Sequence, residues 1–507
     1  MHRELDSKRL YVVVAACAVV VYLGALWNRF AVDDNQIVAF NALVHGFSGV
    51  WRAFVSPYWP PDIGGGMYRP LPIASYAIDW SLGGAAWWFH AVNIGWHAAA
   101  SVGLAWLARR WSGDRAALAA GLLFAVHPVH VEAVANVVGR AELMATLFAI
   151  VSVYAALVHD RLWWSAAALA AAVLSKENAV VAPILVAWGW MVGLAPRPAP
   201  RRMATYAASW LVVGIAYLAV RSSVLHDLSA GSAAPVFFQV SPLAVRLTAV
   251  AAFADLTRLL VFPLTLRVDY SPAERTLVTS ALDPRFAVGL LCFAAWGALL
   301  WWTWRRGHRA EAFGLGWIAI ALLPVANLLV PVGVLVAERT LYLPSAGLAL
   351  AAGAWLARLE PRRLALYLGV LVVAGGARTA FRVPVWRDSR TVIESELEDS
   401  PRSFLGYAHL VPLYLTGHQP AKAFEQFRTA TGIYDVTLPW LYVTGAEAAF
   451  ATGQDKLADS ILDRLELVCR PCDFFYRYEA PIARTRGYPA AADSFLARIG
   501  RVPASRR

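Results

Sequence analysis

The sequence predicts an all-α membrane protein that crosses the bilayer about eleven times and ends in a small helical domain. Of its 507 residues, 59% are hydrophobic, and the mean hydropathy is +0.51. A soluble protein of this size is rarely so apolar. Long apolar runs follow one another from residue 10 to about residue 380, and clusters of Lys and Arg lie in every second connection between them. That alternation is typical of a multi-pass membrane protein.

Apolar runs of roughly membrane length predict the individual spans. They lie at about 10–27, 88–108, 115–127, 139–158, 162–174, 178–194, 203–221, 286–304, 312–331, 340–357 and 364–380. Basic clusters at 1–9, 109–115, 197–202, 305–309 and 358–363 place the N-terminus in the cytoplasm. Eleven crossings then place the C-terminus on the opposite side. The run 245–262 contains three charged residues, and we expect it to be an interfacial or re-entrant helix on the outer face.

The charge and the motifs exclude several classes of function. The net charge of +11 does not predict nucleic-acid binding, because the basic residues are confined to short connections between apolar runs. The chain contains no glycine-rich phosphate loop, dinucleotide fingerprint or nucleophile elbow. The sequence therefore gives no indication of ATP, NAD or serine-hydrolase chemistry.

The first outer loop, residues 28–87, begins with an acidic pair. Asp33 and Asp34 follow the first apolar run directly, where they either cap the next helix or take part in chemistry. A helical stretch is predicted over 36–54, followed by a glycine hinge at 64–66. The loop is too rich in aromatic residues to be disordered, and a long ordered loop is often functional.

The other outer connections also carry ionisable residues at the ends of apolar runs. Such residues are costly at a membrane boundary and usually mark a site, although local ion pairing at helix ends is the alternative for any one pair. They form the pairs Arg140/Glu142, Lys176/Glu177 and Glu338/Arg339, and Glu132 lies in the same set of connections. All of these connections lie on the face predicted to hold Asp33 and Asp34.

Two histidines precede Glu132 in one of these connections. His127 and His130 form His-x-x-His-x-Glu, which is not a standard zinc motif, and Pro128 makes the segment a loop. Histidines that stabilise a helix start are therefore favoured over metal ligands.

The composition changes after residue 378, where apolar runs of membrane length stop. Small and large apolar residues recur with a period of about 34–36 residues, which is typical of tetratricopeptide repeats. The recurring sets are Ala423, Phe427 and Ala430; Ala458, Leu462 and Leu465; and Ala492, Leu496 and Ile499. A generic helical domain is the alternative. Cys469 and Cys472 are expected to form a local disulfide, because a single pair is insufficient for zinc.

Six motifs, taken in order, resemble those of the TMTC-type proteins, which are transmembrane and tetratricopeptide-repeat-containing protein O-mannosyltransferases, and of their bacterial relatives. They are Val32-Asp33-Asp34, Tyr68-Arg69-Pro70-Leu71, the segment from Phe124 to Glu132, Val138-Gly139-Arg140-Ala141-Glu142, Ser175-Lys176-Glu177, and the segment from Glu338 to Tyr342. The resemblance covers roughly residues 10–380. It implies a C-type glycosyltransferase (GT-C) fold over 1–380 and a repeat domain over 381–507.

The resemblance also implies an activity: transfer of a sugar, expected to be mannose, from a polyprenyl-phosphate donor on the non-cytoplasmic face. The acceptor would be a hydroxyl, expected to belong to Ser or Thr of an exported protein. One of Asp33 and Asp34 would then be the catalytic base, and a cation would hold the leaving phosphate. The candidate phosphate ligands are Arg339, Arg140, Lys176 and Arg69, and the supporting residues are Glu142, Glu338, Glu177, His127, His130, Glu132, Tyr68 and Tyr342.

Several alternatives stay open at this stage. The chain is either an enzyme or a membrane-anchored repeat scaffold without catalysis, and the acceptor of an enzyme is protein, lipid or polysaccharide. A divalent metal held by Asp33 and Asp34 is neither required nor excluded. A transporter of lipid-linked sugar would have charges midway along its spans and an inverted repeat, which the sequence lacks. The Ala-, Arg- and Trp-rich composition favours a bacterial inner membrane.

Overall fold

The computed structural model describes residues 7–60, 66–226, 233–270, 272–435, 438–469 and 472–500. Within these ranges the chain is helical and contains no strand. The chain divides into two compact units. The first comprises residues up to Tyr58, Gly66–Leu266 and Leu277–Val392; the second comprises Trp59–Gly65, Arg267–Thr276 and the chain from Ile393 onward. The predicted boundary at 380/381 therefore lies inside the first unit. Two residues of the predicted glycine hinge, 64 and 65, lie outside the described ranges.

The first unit consists of helices, and five of the twelve longer ones in its described residues begin at proline. Proline fits the first turn of a helix because its missing N–H would have no partner there. The helices are Ser7–Tyr22, Pro70–Ser81, Ala86–Ala125, Arg140–His159, Leu162–Ser175, Ala182–Met191, Pro200–Leu225, Pro242–Val261, Pro284–Arg305, Arg309–Leu322, Tyr342–Leu356 and Pro361–Arg382. A helix occurs at each predicted span. Ala86–Ala125 contains two of the predicted spans, with a break at Gly113, where φ is 77°.

Among the described residues, five helical stretches are long and apolar enough to cross a membrane. They are Lys8–Trp27, Val137–His159, Pro200–Leu225, Pro284–Arg305 and Pro361–Trp386. A sixth is counted if Ala86–Ala125 and Pro128–Ala135, bent by 49°, form one broken span. The predicted count of eleven thus exceeds the five or six that length and apolarity support. Most of the remaining predicted spans coincide with helices of 10–15 residues, which are short for a bilayer.

The short helices are buried by close packing against their neighbours. A Cβ on Gly347 would lie 2.4 Å from the carbonyl oxygen of Gly314 on the adjacent helix, so glycine permits the two backbones to approach. Small residues serve this purpose in membrane helices, where van der Waals packing drives association. The first unit is therefore a multi-helix membrane bundle.

The first connection does not contain the continuous helix predicted over 36–54. It forms short turns instead, at Asn35–Ala39, Ala42–Val44, Gly49–Arg52 and Ala53–Val55. Asn41 explains one interruption, because its side chain bonds to the N–H of Leu43 and to the carbonyl of Ile37 in place of the helical pattern. The regular helix of this connection, Pro70–Ser81, was not predicted.

The second unit contains three helical hairpins. Their helices are Phe404–Thr416, Pro420–Ile433, Pro439–Ala451, Asp455–Val468, Asp473–Thr485 and Pro489–Arg498, so the first helices start 34–35 residues apart. The predicted repeat residues of the first two hairpins, with Ala492, are buried. In the third hairpin the predicted Leu496 is exposed and its neighbour Phe495 is buried instead, so the prediction is wrong at that one residue. Cys469 and Cys472 form a disulfide. Residues 501–507 of the predicted domain lie outside the described ranges.

Candidate active site

The acidic pair lies on a strained turn just after the first span. Val32 adopts φ 42°, a conformation that is unfavourable for a β-branched residue. Ser389 holds the turn, because its Oγ accepts hydrogen bonds from Val32 N at 2.9 Å and from Asn35 Nδ2 at 3.0 Å. The turn directs the two adjacent acids into different environments: Asp33 is exposed and Asp34 is fully buried.

Asp34 is a structural link rather than a helix cap. Its Oδ2 accepts hydrogen bonds from the N–H groups of Ala31 and Val137, both at 3.2 Å, and its Oδ1 accepts one from Val138 at 2.8 Å. It makes no capping bond to the turn that follows it. Burial raises the pKa of Asp34 to about 7, although the three N–H donors oppose that rise. The carboxyl thus connects the first loop to the turn at Val137–Gly139.

Gly139 explains why that turn can receive Asp34. A Cβ at this position would lie 2.2 Å from the backbone oxygen of Ala133. Only glycine permits this approach, which sets the direction of the N–H groups of Val137 and Val138 towards Asp34.

Arg140, the next residue, is fully buried and donates hydrogen bonds to four partners. Its guanidinium donates to Asn93 Oδ1 at 2.7 Å, to Asp79 Oδ2, to Ser75 Oγ and to the carbonyl of Phe89. Four of the five N–H donors of an arginine are thereby used. Arg140, a predicted phosphate ligand, therefore lies in the protein interior, where it stabilises the site through its hydrogen bonds. Asp79 and Asn93 were not singled out in the sequence, since neither lies in one of the six motifs.

Arg69 and Glu177 form a two-pronged ion pair. Arg69 Nε donates to Glu177 Oε2 at 2.9 Å, and Nη2 donates to Oε1 at 2.6 Å. Burial alone would raise the pKa of Glu177, but the Arg69 guanidinium overcomes this and lowers it to about 2. Arg69 also lies over the ring of buried Tyr58, 5.1 Å from its centroid. Tyr58 was likewise not predicted as part of the site.

Lys176 pairs with Glu142 across two helices. Its Nζ donates to Glu142 Oε1, while Asn178 Nδ2 donates to Oε2 at 3.2 Å. Burial lowers the pKa of Lys176, and the Glu142 carboxylate opposes that shift. Arg69 and Arg339 also lower the pKa of Lys176, so the three cations lie within electrostatic range of one another.

Arg339 is the most exposed of the four predicted cations, with 37% of its side chain accessible. It bonds to buried Glu132 through Nη1 and through its backbone N, the latter at 2.8 Å. Glu132, and more weakly Asp33, raise the pKa of Arg339. Arg339 therefore lies within electrostatic range of Asp33, and part of its side chain is accessible to solvent. The neighbouring Glu338 is buried.

The histidines and two of the tyrosines have structural surroundings. His127 contacts the carbonyl of Leu260 at 2.9 Å, and His130 contacts Ser345 Oγ at 2.7 Å. The hydroxyl of Tyr342 bonds to His97, and that of Tyr68 donates to the carbonyl of Phe54. No group of three or more His, Cys, Asp or Glu residues in the described part of the chain is arranged to hold a metal ion.

The accessible groups of the site are thus the exposed carboxylate of Asp33, the partly exposed side chain of Arg339 and the half-exposed carboxylate of Glu177. The other ion pairs of the site are buried. An exposed carboxylate can accept a proton from a hydroxyl, and a guanidinium can bind a phosphate through paired hydrogen bonds. The structure brings together all four predicted cations, three of their acidic partners and the acidic pair. The histidines, Tyr68 and Tyr342 pack behind them.

Comparison with known proteins gives relatives but no matching family model. A protein O-mannosyl-transferase of Caenorhabditis elegans, F38B6.6, is 27% identical over 68% of this chain and 50% of its own length. The mouse protein O-mannosyl-transferase TMTC3 is 28% identical over 66% of this chain and 40% of its own, and human TMTC4 is 28% identical over 77% and 61%. The chain thus spans about half the length of these relatives.

Among solved structures, ArnT from Cupriavidus metallidurans, bound to undecaprenyl phosphate, is similar to 96% of this chain. The alignment covers 77% of that protein, at 15% identity and a TM-score of 0.40, which does not establish a shared fold. The sequence relatives are more informative, because they share 25–36% identity with this chain and carry one common description. The predicted resemblance is therefore confirmed: the curated homologues of this chain are protein O-mannosyltransferases of the TMTC family.

Proposed function

We propose that this protein is a membrane glycosyltransferase that moves a sugar from a polyprenyl-phosphate donor to an acceptor hydroxyl on the non-cytoplasmic face. The observation that supports this most directly is that Asp33, exposed just after the first span, lies within electrostatic range of the partly accessible Arg339. The homologues named as protein O-mannosyl-transferases support mannose as the sugar and protein as the acceptor.

In the proposed reaction, the acceptor oxygen attacks C1 of the sugar while the bond from C1 to the phosphate oxygen breaks. Asp33 takes the proton of the acceptor hydroxyl, and the departing polyprenyl phosphate keeps the electron pair of the broken bond. Arg339 binds that phosphate, and Lys176 adds positive charge from its buried position beside Glu142. A lipid-linked donor fits a site at the end of a membrane span.

The acidic pair does not fit a shared metal site. Both oxygens of Asp34 already accept backbone N–H groups and are buried, so a cation bound to Asp33 would not find a second free carboxylate there. We therefore assign no catalytic step to a metal. Addition of a chelator to the purified protein tests this: unchanged turnover is expected, and loss of turnover restored by a divalent cation would contradict the assignment.

The wider proposal includes a multi-pass, GT-C-type membrane domain in a bacterial inner membrane. The N-terminus would be cytoplasmic, and the second unit would be a periplasmic repeat domain that recruits the acceptor protein. Each predicted span lies on a helix, but only five or six helical stretches of the described residues are long and apolar enough to cross a bilayer. Cysteine labelling at exposed Trp51 and Leu457 should modify both from the outside; protection of either would refute this topology.

Turnover of the purified protein in lipid nanodiscs tests the activity. With polyprenyl-phosphate mannose and a Ser/Thr peptide, we expect equal amounts of glycopeptide and polyprenyl phosphate to form. If no glycopeptide forms but the donor is consumed when a lipid or polysaccharide is supplied as acceptor, only the proposed acceptor would be wrong. A folded protein that consumes no sugar donor, yet binds partner proteins equally well with Asp33→Asn, would instead be a scaffold.

Deletion of the chain from residue 393 onward separates the two proposed roles. The first unit has its own buried core, so it should remain folded and keep turnover on a short peptide. The rate on a whole protein acceptor should fall, because such helical repeats usually bind peptides or proteins. Equal losses on both acceptors would contradict recruitment by the second unit.

A further inference from the structure

The ion pair between Arg69 and Glu177 is exposed on one side only. The side chain of Arg69 is 10% accessible, whereas that of Glu177 is 48% accessible. The guanidinium of Arg69 therefore lies on the buried side of the pair, and the side chain of Glu177 lies on the solvent side. An ion pair that served only to neutralise a helix end would gain nothing from this asymmetry, since partial exposure weakens the attraction.

The carboxylate of Glu177 is also fixed in orientation. Each of its oxygens accepts one N–H of Arg69, which fixes the plane of the carboxylate through two parallel bonds. A carboxylate has about four lone-pair sites, so acceptor capacity remains on the exposed side. With a pKa near 2 this group stays ionised at neutral pH, and it accepts hydrogen bonds rather than donating a proton.

Glu177 lies within electrostatic range of Lys176, as does Arg339 of the proposed mechanism. Arg69 stacks on Tyr58, and Asp33 acts electrostatically on Tyr58, so Tyr58 lies within electrostatic range of the proposed base. Lys176 precedes Glu177 in the chain and lies within range of Arg339. Tyr217, whose hydroxyl bonds to the carbonyl of Tyr68 at 3.4 Å, adds a partly exposed ring near the Arg69 segment.

We propose that Glu177 is a specificity-determining residue that binds hydroxyl groups of the donor sugar. This rests on the proposed glycosyltransferase function. A fixed carboxylate accepts two neighbouring hydroxyls of a hexose well, and it repels a ligand of its own charge. The predicted class of donor is therefore a neutral hexose or a cationic amino sugar on polyprenyl phosphate, with hexuronates disfavoured. Phosphate should bind elsewhere, because the exposed side of this pair is negative.

Binding of two probes to the full-length protein in nanodiscs tests this inference. The probes are polyprenyl-phosphate mannose and polyprenyl phosphate without a sugar. Glu177→Gln should weaken binding of the mannose donor at least about tenfold, the value of one lost hydrogen bond to a charged group. Binding of bare polyprenyl phosphate should stay unchanged, which also shows that the variant is folded. The same variant should bind polyprenyl-phosphate glucuronate more tightly than the wild type does.

Glu311→Gln is the control for loss of an ion-paired glutamate with the opposite exposure, because Glu311 is buried beneath the more accessible Arg358 in the same unit. It should change the affinity for neither probe. Equal weakening of both probes by Glu177→Gln would show that the pair only maintains the fold and would overturn the inference. If Glu177→Gln does not fold, Glu177→Asp replaces it: the retracted carboxylate should give the same selective loss. Failure of the wild type to bind either probe would refute the proposed function itself.

Discussion

Two sets of charged residues at the candidate site have the same chemistry and opposite surroundings. The interior set, Asp34, Asp79 and Arg140, is buried, and its polar atoms bond within the fold. The rim set, Asp33, Glu177 and Arg339, is wholly or partly exposed. Desolvated charges stabilise a fold only when every partner is present, whereas exposed ones can exchange water for a ligand. The comparison therefore assigns structure to the interior set and chemistry to the rim set.

Asp33→Asn is expected to have the largest effect, and on turnover alone. The amide cannot take the proton of the acceptor, and loss of a positioned base costs roughly two to four orders of magnitude in rate. Because the side chain is exposed, the apparent unfolding temperature should stay that of the wild type. Sugar transfer and thermal unfolding are measured on the same preparation. A wild-type rate in this variant would remove Asp33 from the chemistry.

Arg140→Ala is expected to have the largest effect on stability. Removing one member of a buried pair leaves Asp79 uncompensated, which costs about 3–5 kcal/mol. Arg202→Ala is the matched control, because Arg202 pairs with Asp160 at an exposed connection and such a pair contributes less than about 1 kcal/mol. Thermal unfolding in detergent compares the two variants. Equal shifts would mean that burial does not distinguish the interior set from ordinary ion pairs.

Asp34→Asn should destabilise the protein, in contrast to its neighbour. An amide has one acceptor oxygen, so its NH2 group must face at least one of the three N–H groups that Asp34 binds. An unpaired buried donor costs about 1–3 kcal/mol. Turnover should fall only as far as the folded fraction falls, and normalising the rate to folded protein checks this. A rate loss at full folding would move Asp34 into the rim set.

The pH dependence sharpens the same contrast. The pKa of Asp34 is about 7 in the fold and near 4 when unfolded, so the native state holds an extra proton between these values. The contribution of Asp34 to stability is therefore greatest below pH 4 and is lost as the pH rises to 7. The difference in unfolding temperature between wild type and Asp34→Asn should narrow over that interval. A constant difference would mean that Asp34 does not titrate there.

The sequence indicated a helix at each predicted span and the ionisable residues near the ends of these spans, because both depend on local patterns. Apolar runs mark the helices, and ionised side chains at their ends are rare enough to be conspicuous. The division into interior and rim sets was not predictable, because Arg140 and Arg339 look alike in sequence. It depends on Asp79 and Asn93, which lie far away in the chain and meet Arg140 only through packing. Asp33 is exposed and Asp34 is buried because of the turn at Val32, and no local sequence pattern predicts that turn.

The smallest expected effect concerns that turn. Val32→Gly removes the side chain that strains the backbone at φ 42°, which should stabilise the folded state by about 1–3 kcal/mol. Glycine also increases the conformational entropy of the unfolded chain, which lowers the free energy of unfolding by about 1 kcal/mol. The unfolding temperature should therefore stay the same or rise slightly. Turnover should fall by less than in Asp33→Asn, because a more mobile turn positions the base less well. Ser389→Ala is the control: it removes the acceptor that holds the turn, so stability and turnover should fall together. A marked loss of stability in Val32→Gly would show that the valine side chain contributes packing rather than strain. The orientation of Asp33 would then depend on the Ser389 hydrogen bonds alone.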